Sequence, residues 1–162
     1  MLVPPRKYRM IIPNLTVSGP LESSNVLFLK ASGCRKIMTV GGGFVSQDVI
    51  PQIKANHMSA THYSFSPFEK LDNVEESMNR IFSHLVEQLS SGSKVHISGD
   101  MSLIDIACIV GCFRRAQGWN MGYAISEAID ISDNVEMSDM INVISSFNAR
   151  DWQDKFQHGE IK

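Results

Sequence analysis

The chain has 162 residues, of which 43% are hydrophobic and 20% are charged, and its formal net charge is −2 at pH 7. This length and balance predict one domain over residues 1–162, with a core of about residues 3–150 and a C-terminal tail at 151–162. A weakly acidic chain offers no basic surface to nucleic acid or to an anionic membrane, so we expect neither as a partner.

The sequence also bears on the compartment. The first residues lack the charged-then-apolar order of a signal peptide, and no apolar run of about 18 residues predicts a membrane span. Cys34, Cys108 and Cys112 have no metal-ligand spacing, and an odd number of cysteines is typical of a reducing compartment. We therefore expect a cytoplasmic protein without a metal or cofactor.

Short β-type runs and helical patterns alternate along the chain. The predicted strands are 9–12, 15–17, 36–40, 61–65 and 95–98. The predicted helices are 23–31, 47–56, 74–89, 104–117, 121–131 and 137–147. This alternation predicts an α/β fold in which a central, mostly parallel sheet is flanked by helices.

Two helices have distinct patterns. The helix from Val74 carries an apolar stripe at helical spacing, with Asn73 and Glu76 resembling a capping box and Gly92 marking its end. The helix over 104–117 is apolar nearly all round, which predicts burial in the middle of the domain. Only the chain ends, including Gln153–Lys162, are expected to be loose.

A strand, a short polar loop and a helix follow one another at Val95–Ser98, Gly99–Leu103 and Ile104 onward. Such a junction directs backbone N–H groups and the positive end of a helix dipole toward one point. The sequence therefore predicts a natural anion-binding position at this loop.

Three further segments carry distinctive motifs. The run Cys108-Ile-Val-Gly-Cys-Phe-Arg-Arg-Ala-Gln-Gly-Trp119 resembles the helix that follows the active-site loop of plant and fungal atypical dual-specificity phosphatases. Val3-Pro-Pro-x-x-Tyr8 and Leu15-Thr-Val-Ser-Gly-Pro20 resemble their first segments. The resemblance implies a cysteine-phosphatase-like fold and relatives that act on phosphotyrosine or inositol pyrophosphates.

In that family the loop carries His-Cys-x-x-x-x-x-Arg, where the thiolate attacks phosphorus and the arginine holds the phosphoryl oxygens. Counting back from the helix without a gap places Ser98 on the histidine, Gly99 on the cysteine and Asp105 on the arginine. Ser102 then falls on the motif glycine and Leu103 on the lysine after it. All five positions differ from the family pattern.

A second register starts the motif at His96, which places Ile97 on the cysteine and Leu103 on the arginine. Neither register supplies a nucleophile or a cation. The loop presents Asp100 and Asp105 instead, and one like-charge pair at ~4 Å costs about 4 kcal/mol at intermediate dielectric. We read the loop as a degenerate active site with no catalytic residue, and the lone carboxylate pair as weak evidence for a metal.

The resemblance and the loop together predict a catalytically inactive pseudophosphatase that acts as a binding or scaffold subunit. Its expected partner is a phosphatase-fold paralogue or a second copy of the chain. One alternative is a sensor that binds an inositol polyphosphate or another phosphorylated ligand without hydrolysis, through Arg6, Lys7, Lys70 and Arg114. A second alternative is a residual phosphoester hydrolase built on Ser98 or His96.

Overall fold

A computed structural model of the protein describes residues 1–41, 47–133 and 138–157. The strands are β1 (Arg9–Ile12), β2 (Leu15–Ser18), β3 (Lys36–Val40), β4 (Ser59–Tyr63) and β5 (Val95–Ser98). The α-helices are α1 (Val26–Ala31), α2 (Val49–Ala55), α3 (Leu71–Ser90), α4 (Ile104–Ala116), α5 (Met121–Ile131), α6 (Ser138–Ser146) and α7 (Arg150–Gln157). In this described part, no helix is long and apolar enough to cross a membrane.

The strands form one sheet in the order β1-β2-β5-β3-β4. Only the β1–β2 pair is antiparallel, and every other neighbouring pair runs parallel. This confirms the predicted α/β fold with a mostly parallel sheet. Because β5 is the middle strand, the loop that follows it lies at the centre of the carboxyl edge, where open α/β sheets place their ligand sites.

Each face of the sheet is covered by helices. On one face Ile37 packs with α1 and α2, and on the other Met38 joins the larger core formed with α3 to α7. The helix α4 is buried along most of its length, as its sequence predicts. A Cβ added at Gly111 would lie 2.4 Å from Cδ1 of Ile144, so glycine allows α6 to pack closely on α4.

Several element boundaries differ from the predictions by one to three residues, and those of α3 and β4 have a clear physical reason. Helix α3 begins after Lys70, which makes no side-chain capping bond, so the predicted capping box at Asn73 and Glu76 does not start the helix. Strand β4 begins two residues before the predicted position and ends at Tyr63. The apolar signal that placed it later comes from Phe65, which is buried but lies beyond the strand.

The C-terminal region also differs, because α7 forms where a loose tail was expected. Trp152 and Phe156 lie on one face of this short helix, and both are buried against Phe82, at centroid distances of 5.6 and 6.4 Å. Four-residue spacing places both rings on the same helical face, which explains why a polar segment packs on the core. Met137 and residues 158–162, which the predictions included, lie outside the described residues.

Candidate functional site

The loop between β5 and α4 runs from Gly99 to Leu103. Leu103 is the N-cap of α4, with a left-handed φ of 61° and a side chain buried in the core. A left-handed conformation is unusual for leucine and costs of order 1–3 kcal/mol, so it persists only where the surroundings enforce it. Burial of the leucine side chain in the core fixes the entry of the chain into α4.

Asp100 closes the first half of the loop. Its Oδ1 accepts hydrogen bonds from the backbone N–H of Ser102 at 2.9 Å and from the Ser102 hydroxyl at 2.6 Å. The Ser102 Oγ in turn accepts a longer bond from the N–H of Ile104 at 3.4 Å. The loop is therefore held in shape by a carboxylate of its own sequence.

Asp105 closes the second half from the first turn of α4. Its Oδ2 accepts a bond from the N–H of Asp100 at 3.1 Å, and its Oδ1 accepts one from the N–H of Ile106 at 2.7 Å. Only 2% of the residue is exposed. Amides that could bind an external anion at this junction thus bind the chain's own carboxylates.

The charge state of Asp105 is unusual for a carboxyl group. Burial, together with the negative charge of Asp100, raises its pKa from 3.8 to about 6, although the amide hydrogen bonds act in the opposite direction. A carboxyl group with a pKa near 6 exchanges protons close to neutral pH. A carboxyl group with a raised pKa beside a second carboxylate is typical of acid–base sites.

Two glycines form the walls around this carboxyl group. A Cβ at Gly99 would lie 2.6 Å from Asp105 Oδ1 and 2.4 Å from Ile106 Cγ1, so the predicted nucleophile position has no room for a side chain in this conformation. A Cβ at Gly41 would lie 2.5 Å from Asp105 Oδ2 and 3.8 Å from Asp100 Oδ2. The sequence shows Gly41 only as a glycine after β3 at the same sheet edge, which by itself does not predict a contact with Asp105.

Beneath the loop, the ring of His96 is fully buried between two hydroxyl groups. Its Nδ1 lies 2.8 Å from Thr16 Oγ1, and its Nε2 lies 2.8 Å from Ser18 Oγ. Ser18 uses its single hydrogen on the carbonyl of Gly19, so the network assigns the proton to Nε2 and makes Nδ1 the acceptor from Thr16. Burial lowers the pKa of His96 to about 3, which keeps the ring neutral.

This network excludes the predicted pairing of Ser98 with His96 as nucleophile and base. The Ser98 hydroxyl donates to the carbonyl of Gly19 at 2.9 Å, and both ring nitrogens of His96 are occupied by Thr16 and Ser18. A general base must reach the proton that it removes. Ser98 and His96 therefore support the loop from below.

The four predicted anion-binding side chains do not converge. Arg6 reaches the loop, with Nη1 at 3.9 Å from the sulfur of Met101. Lys7 forms an exposed ion pair with Asp133 at 3.1 Å. Lys70 is the N-cap of α3. Arg6 thus contacts the loop at Met101, and Lys7 lines a small cavity with Leu103 and Ile106.

Arg114 lies near the C-terminal end of α4. At a rise of 1.5 Å per residue, it is about 15 Å from the first residue of the helix. It forms a two-pronged ion pair with Glu127, with bonds of 2.9 and 3.2 Å, and donates to the carbonyl of Ile11. Its guanidinium also lies 4.2 Å from the ring centre of Trp119. These contacts join α4, α5 and β1, so the structure places the Arg114 side chain at the end of α4 away from the loop.

None of the three cysteines is activated as a nucleophile, although Cys108 lies one helical turn from Asp105. All three are buried, and burial raises the pKa of Cys34 to about 11 and raises those of Cys108 and Cys112 as well. A thiol needs a lowered pKa to act as a nucleophile near neutral pH. Over the described ranges, no three His, Cys, Asp or Glu side chains are grouped to hold a metal ion.

The sequence was compared with profiles of known protein families, and the result is consistent with the strand–loop–helix arrangement at the centre of the sheet. The profile of the tyrosine phosphatase family matches residues 2–158. The chain belongs to the tyrosine phosphatase family. No curated protein matches the chain.

Solved structures of phosphatases share the fold. The core catalytic domain of the PP-IP phosphatase Siw14 from S. cerevisiae superposes with a TM-score of 0.82 at 11% identity, covering 97% of this chain and 96% of that one. P. aeruginosa TpbA in complex with pTyr has a TM-score of 0.68 at 12% identity, over 94% of this chain and 91% of that one. Tk-PTP in its active form has a TM-score of 0.69 at 12% identity, covering 91% of this chain and 97% of that one. At these identities the likeness establishes the fold alone.

These comparisons contradict the prediction of a catalytically inactive binding subunit. The neighbours are phosphatase domains, including a catalytic core and a protein in its active form, and no finding indicates inactivity. The absence of a cysteine at position 99 excludes a thiolate nucleophile there, but it does not exclude other routes to phosphoester hydrolysis.

Proposed function

We propose that the protein hydrolyses a phosphoester or phosphoanhydride at the loop between β5 and α4, with Asp105 and Asp100 as an acid–base pair and water as the nucleophile. The observation that carries the proposal is the buried carboxyl group of Asp105, which has a pKa of about 6 beside a second carboxylate. Environments that separate the proton affinities of two neighbouring carboxyl groups are typical of acid–base catalysis.

The position of the pair supports this assignment. Asp100 and Asp105 lie at the carboxyl edge of the central strand, which is the edge that binds ligands in open α/β sheets. The fold is similar to that of the PP-IP phosphatase Siw14 and of TpbA, which was solved with pTyr. A phosphorylated substrate is thus the ligand class that the fold likeness favours.

Protonation of Asp105 is central to the proposal, because two carboxylates would repel a phosphate group. Below pH 6 the neutral Asp105 removes one of these charges. A neutral carboxyl group is also a weaker acceptor, so the N–H groups of Asp100 and Ile106 become available to phosphoryl oxygens. Arg6, next to Met101, supplies a cation at the rim of the same loop.

The proposed step balances without a cofactor. Water attacks phosphorus and transfers a proton to the Asp100 carboxylate, while the bond from phosphorus to the leaving oxygen breaks. The leaving oxygen takes the proton of Asp105. Proton transfer from Asp100 to Asp105 then restores the starting state of the pair.

The test measures phosphate release from p-nitrophenyl phosphate and from an inositol pyrophosphate across the acidic and neutral pH range. We expect turnover to increase as the pH falls through about 6, because Asp105 must be protonated. Asp105→Asn should lower turnover by about 10²-fold or more, the usual contribution of a general acid. Asp154→Asn, which changes an exposed carboxylate on α7, is the matched control and should leave turnover unchanged.

A second variant tests the coupling between the two carboxyl groups. Asp100→Asn removes the charge that helps to raise the pKa of Asp105, so any remaining activity should shift to lower pH. Absence of turnover above the buffer rate with both substrates would overturn the proposal. Equal turnover by Asp105→Asn and the unmodified chain would overturn the assigned role of Asp105.

Three finer assignments accompany this proposal. The motifs at Cys108–Trp119 and Val3–Tyr8, with the likeness to Siw14, support membership of the plant and fungal atypical branch. The buried free cysteines are compatible with the reducing environment of the cytoplasm. Binding of a phosphorylated small molecule follows from hydrolysis, and association with a phosphatase-fold paralogue stays a prediction.

A further inference from the structure

The strand β4 forms one margin of the sheet. Within residues 1–41, 47–133 and 138–157 it pairs with β3 alone, in parallel register from Ser59 opposite Lys36 to Tyr63 opposite Val40. The strand is exposed along its length up to the half-buried Tyr63. No strand among the described residues pairs with its outer backbone edge, which can therefore accept a further strand.

The hydrogen bonding toward β3 determines which groups face outward. The N–H of Ser59 donates to the carbonyl of Arg35 at 3.0 Å, on the side of β3. Backbone groups alternate in direction along a strand, so Ser59, Thr61 and Tyr63 direct their N–H and C=O groups toward β3. Ala60 and His62 direct theirs toward the open edge.

This edge lacks the features that usually prevent pairing. Sheet edges are commonly protected by proline, by lysine or another charge, or by a bulge. The segment Ser59-Ala-Thr-His-Tyr63 has no proline, glycine, lysine or carboxylate, and its pairing with β3 is regular. Because the strand carries no permanent charge, two copies would not repel each other through it.

We infer that β4 pairs with β4 of a second copy of the chain in antiparallel register, with the two-fold axis at Thr61. In that register Ala60 lies opposite the partner's His62, and the two residues exchange both N–H to C=O bonds. Symmetry doubles this pair, which gives four backbone hydrogen bonds. Thr61 faces the partner's Thr61 in a non-hydrogen-bonded pair, so every outward group of the strand centre is satisfied.

Surfaces beside the strand are suited to the same partner. On the α2 side, a cavity of about 530 Å³ is lined by Ile53 and Met58 and bordered by Ile50, which is 42% exposed. A second copy would cover this apolar opening and bring its own α2 to it. On the α3 side the groove carries both signs of charge, in the ion pair of Arg80 with Glu76 and in Glu87, so a two-fold copy meets a mixed surface.

This pairing makes the two sheets continuous through β4, at the margin of each sheet and away from the central loop after β5. An isologous contact is closed by its symmetry, which favours a dimer over a filament. The inference concerns assembly, and it does not depend on the proposed hydrolysis.

The register is tested by disulfide trapping in the full chain. Thr61→Cys places two thiols across the axis, where cross-strand Cβ atoms lie about 4.5–5.5 Å apart, so mild oxidation should give a covalent dimer. Ala60→Cys is the matched control, because the two cysteines would lie about 8 Å apart and should not cross-link efficiently. The native cysteines are buried and should not contribute.

Association is tested by sedimentation equilibrium over a concentration series. The unmodified chain should form a dimer, and Ala60→Lys should shift it to monomer, because lysine introduces like charges on both sides of the axis. Monomer at all concentrations would overturn the inference. A dimer that Ala60→Lys leaves intact, or equal cross-linking of Thr61→Cys and Ala60→Cys, would also overturn it.

Discussion

Two strands of the sheet carry the same local arrangement in opposite environments. In β5, His96 lies opposite Thr16 of β2 and bonds to its hydroxyl at 2.8 Å. In β4, His62 lies opposite Thr39 of β3 and bonds to its hydroxyl at 2.7 Å. His96 is fully buried, whereas His62 is exposed at the margin of the sheet.

The difference shows that position in the sheet, and not the His–Thr pair itself, determines what the pair does. At the centre, burial holds the imidazole neutral and makes it part of the support for the loop after β5. At the margin, the same pair leaves the strand edge open to solvent. The centre of the sheet thus carries the candidate chemistry, and its margin carries the candidate interface.

The largest expected effect is the loss of stability on removing the buried histidine, compared with removal of the exposed one. His96→Ala should lower the free energy of unfolding by about 3–4 kcal/mol, because it leaves a cavity and two buried hydroxyl groups without their partner. His62→Ala should cost less than about 1 kcal/mol, since water can replace its bond. Urea unfolding of both variants measures the difference, and similar losses would refute the comparison.

Two groups at the centre of the sheet should make the free energy of unfolding depend on pH in opposite directions. His96 has a folded pKa of about 3 against 6.5 unfolded, so its contribution to stability is lost as the pH falls from 6.5 toward 3. Asp105 has a folded pKa of about 6 against 3.8, so the folded state retains the proton and stability falls as the pH rises between these values. Between pH 4 and 6 the two slopes should largely cancel.

Asp105→Asn removes one of these slopes and leaves the other. The free energy of unfolding of this variant should decrease by about 1.4 kcal/mol per pH unit as the pH falls from 6 to 4, a steeper loss than in the unmodified chain. Chemical unfolding at several pH values measures this slope, with Asp154→Asn as the control. Identical slopes for the variant and the unmodified chain would show that Asp105 does not hold a proton in the folded state.

Substituting two glycines by alanine should distinguish the cost of steric crowding from the cost of backbone strain. Gly99→Ala should cost about 2–3 kcal/mol, because its Cβ would meet Ile106 at 2.4 Å and Asp105 at 2.6 Å. Gly33→Ala has open space but a φ of +93°, so it should cost only about 1 kcal/mol. Thermal unfolding compares them, and a smaller loss at Gly99 would show that the loop relaxes around a side chain.

The smallest effect is expected at the margin. Ala60→Lys should change the free energy of unfolding of the monomer by no more than about 0.5 kcal/mol, because the side chain enters solvent and the ladder with β3 is kept. Unfolding at a concentration where the chain is monomeric measures this. A large loss would mean that Ala60 supports the fold and would weaken its use as a probe of pairing.

Local sequence patterns predicted much of this architecture. Strand β5 and helix α5 have the predicted bounds, and α4 ends one residue early, because their apolar periodicity and turn residues are local properties. The loop after β5 was located for the same reason. The pattern predicts β4 two residues too late, since an exposed strand at the margin has little apolar signal. It does not predict α7, because two aromatic residues in a polar segment carry only a weak pattern.

The order of the elements, the strand–loop–helix junction and the absence of a cysteine at position 99 can all be read from the amino-acid sequence. The burial of Asp105, its contact with Gly41 and the pairing of Arg114 with Glu127 are visible only in the folded chain. Periodicity reports contacts between neighbours in the chain. Burial, charge coupling and hydrogen-bond partners depend on residues that are distant in sequence, and these meet only when the sheet assembles.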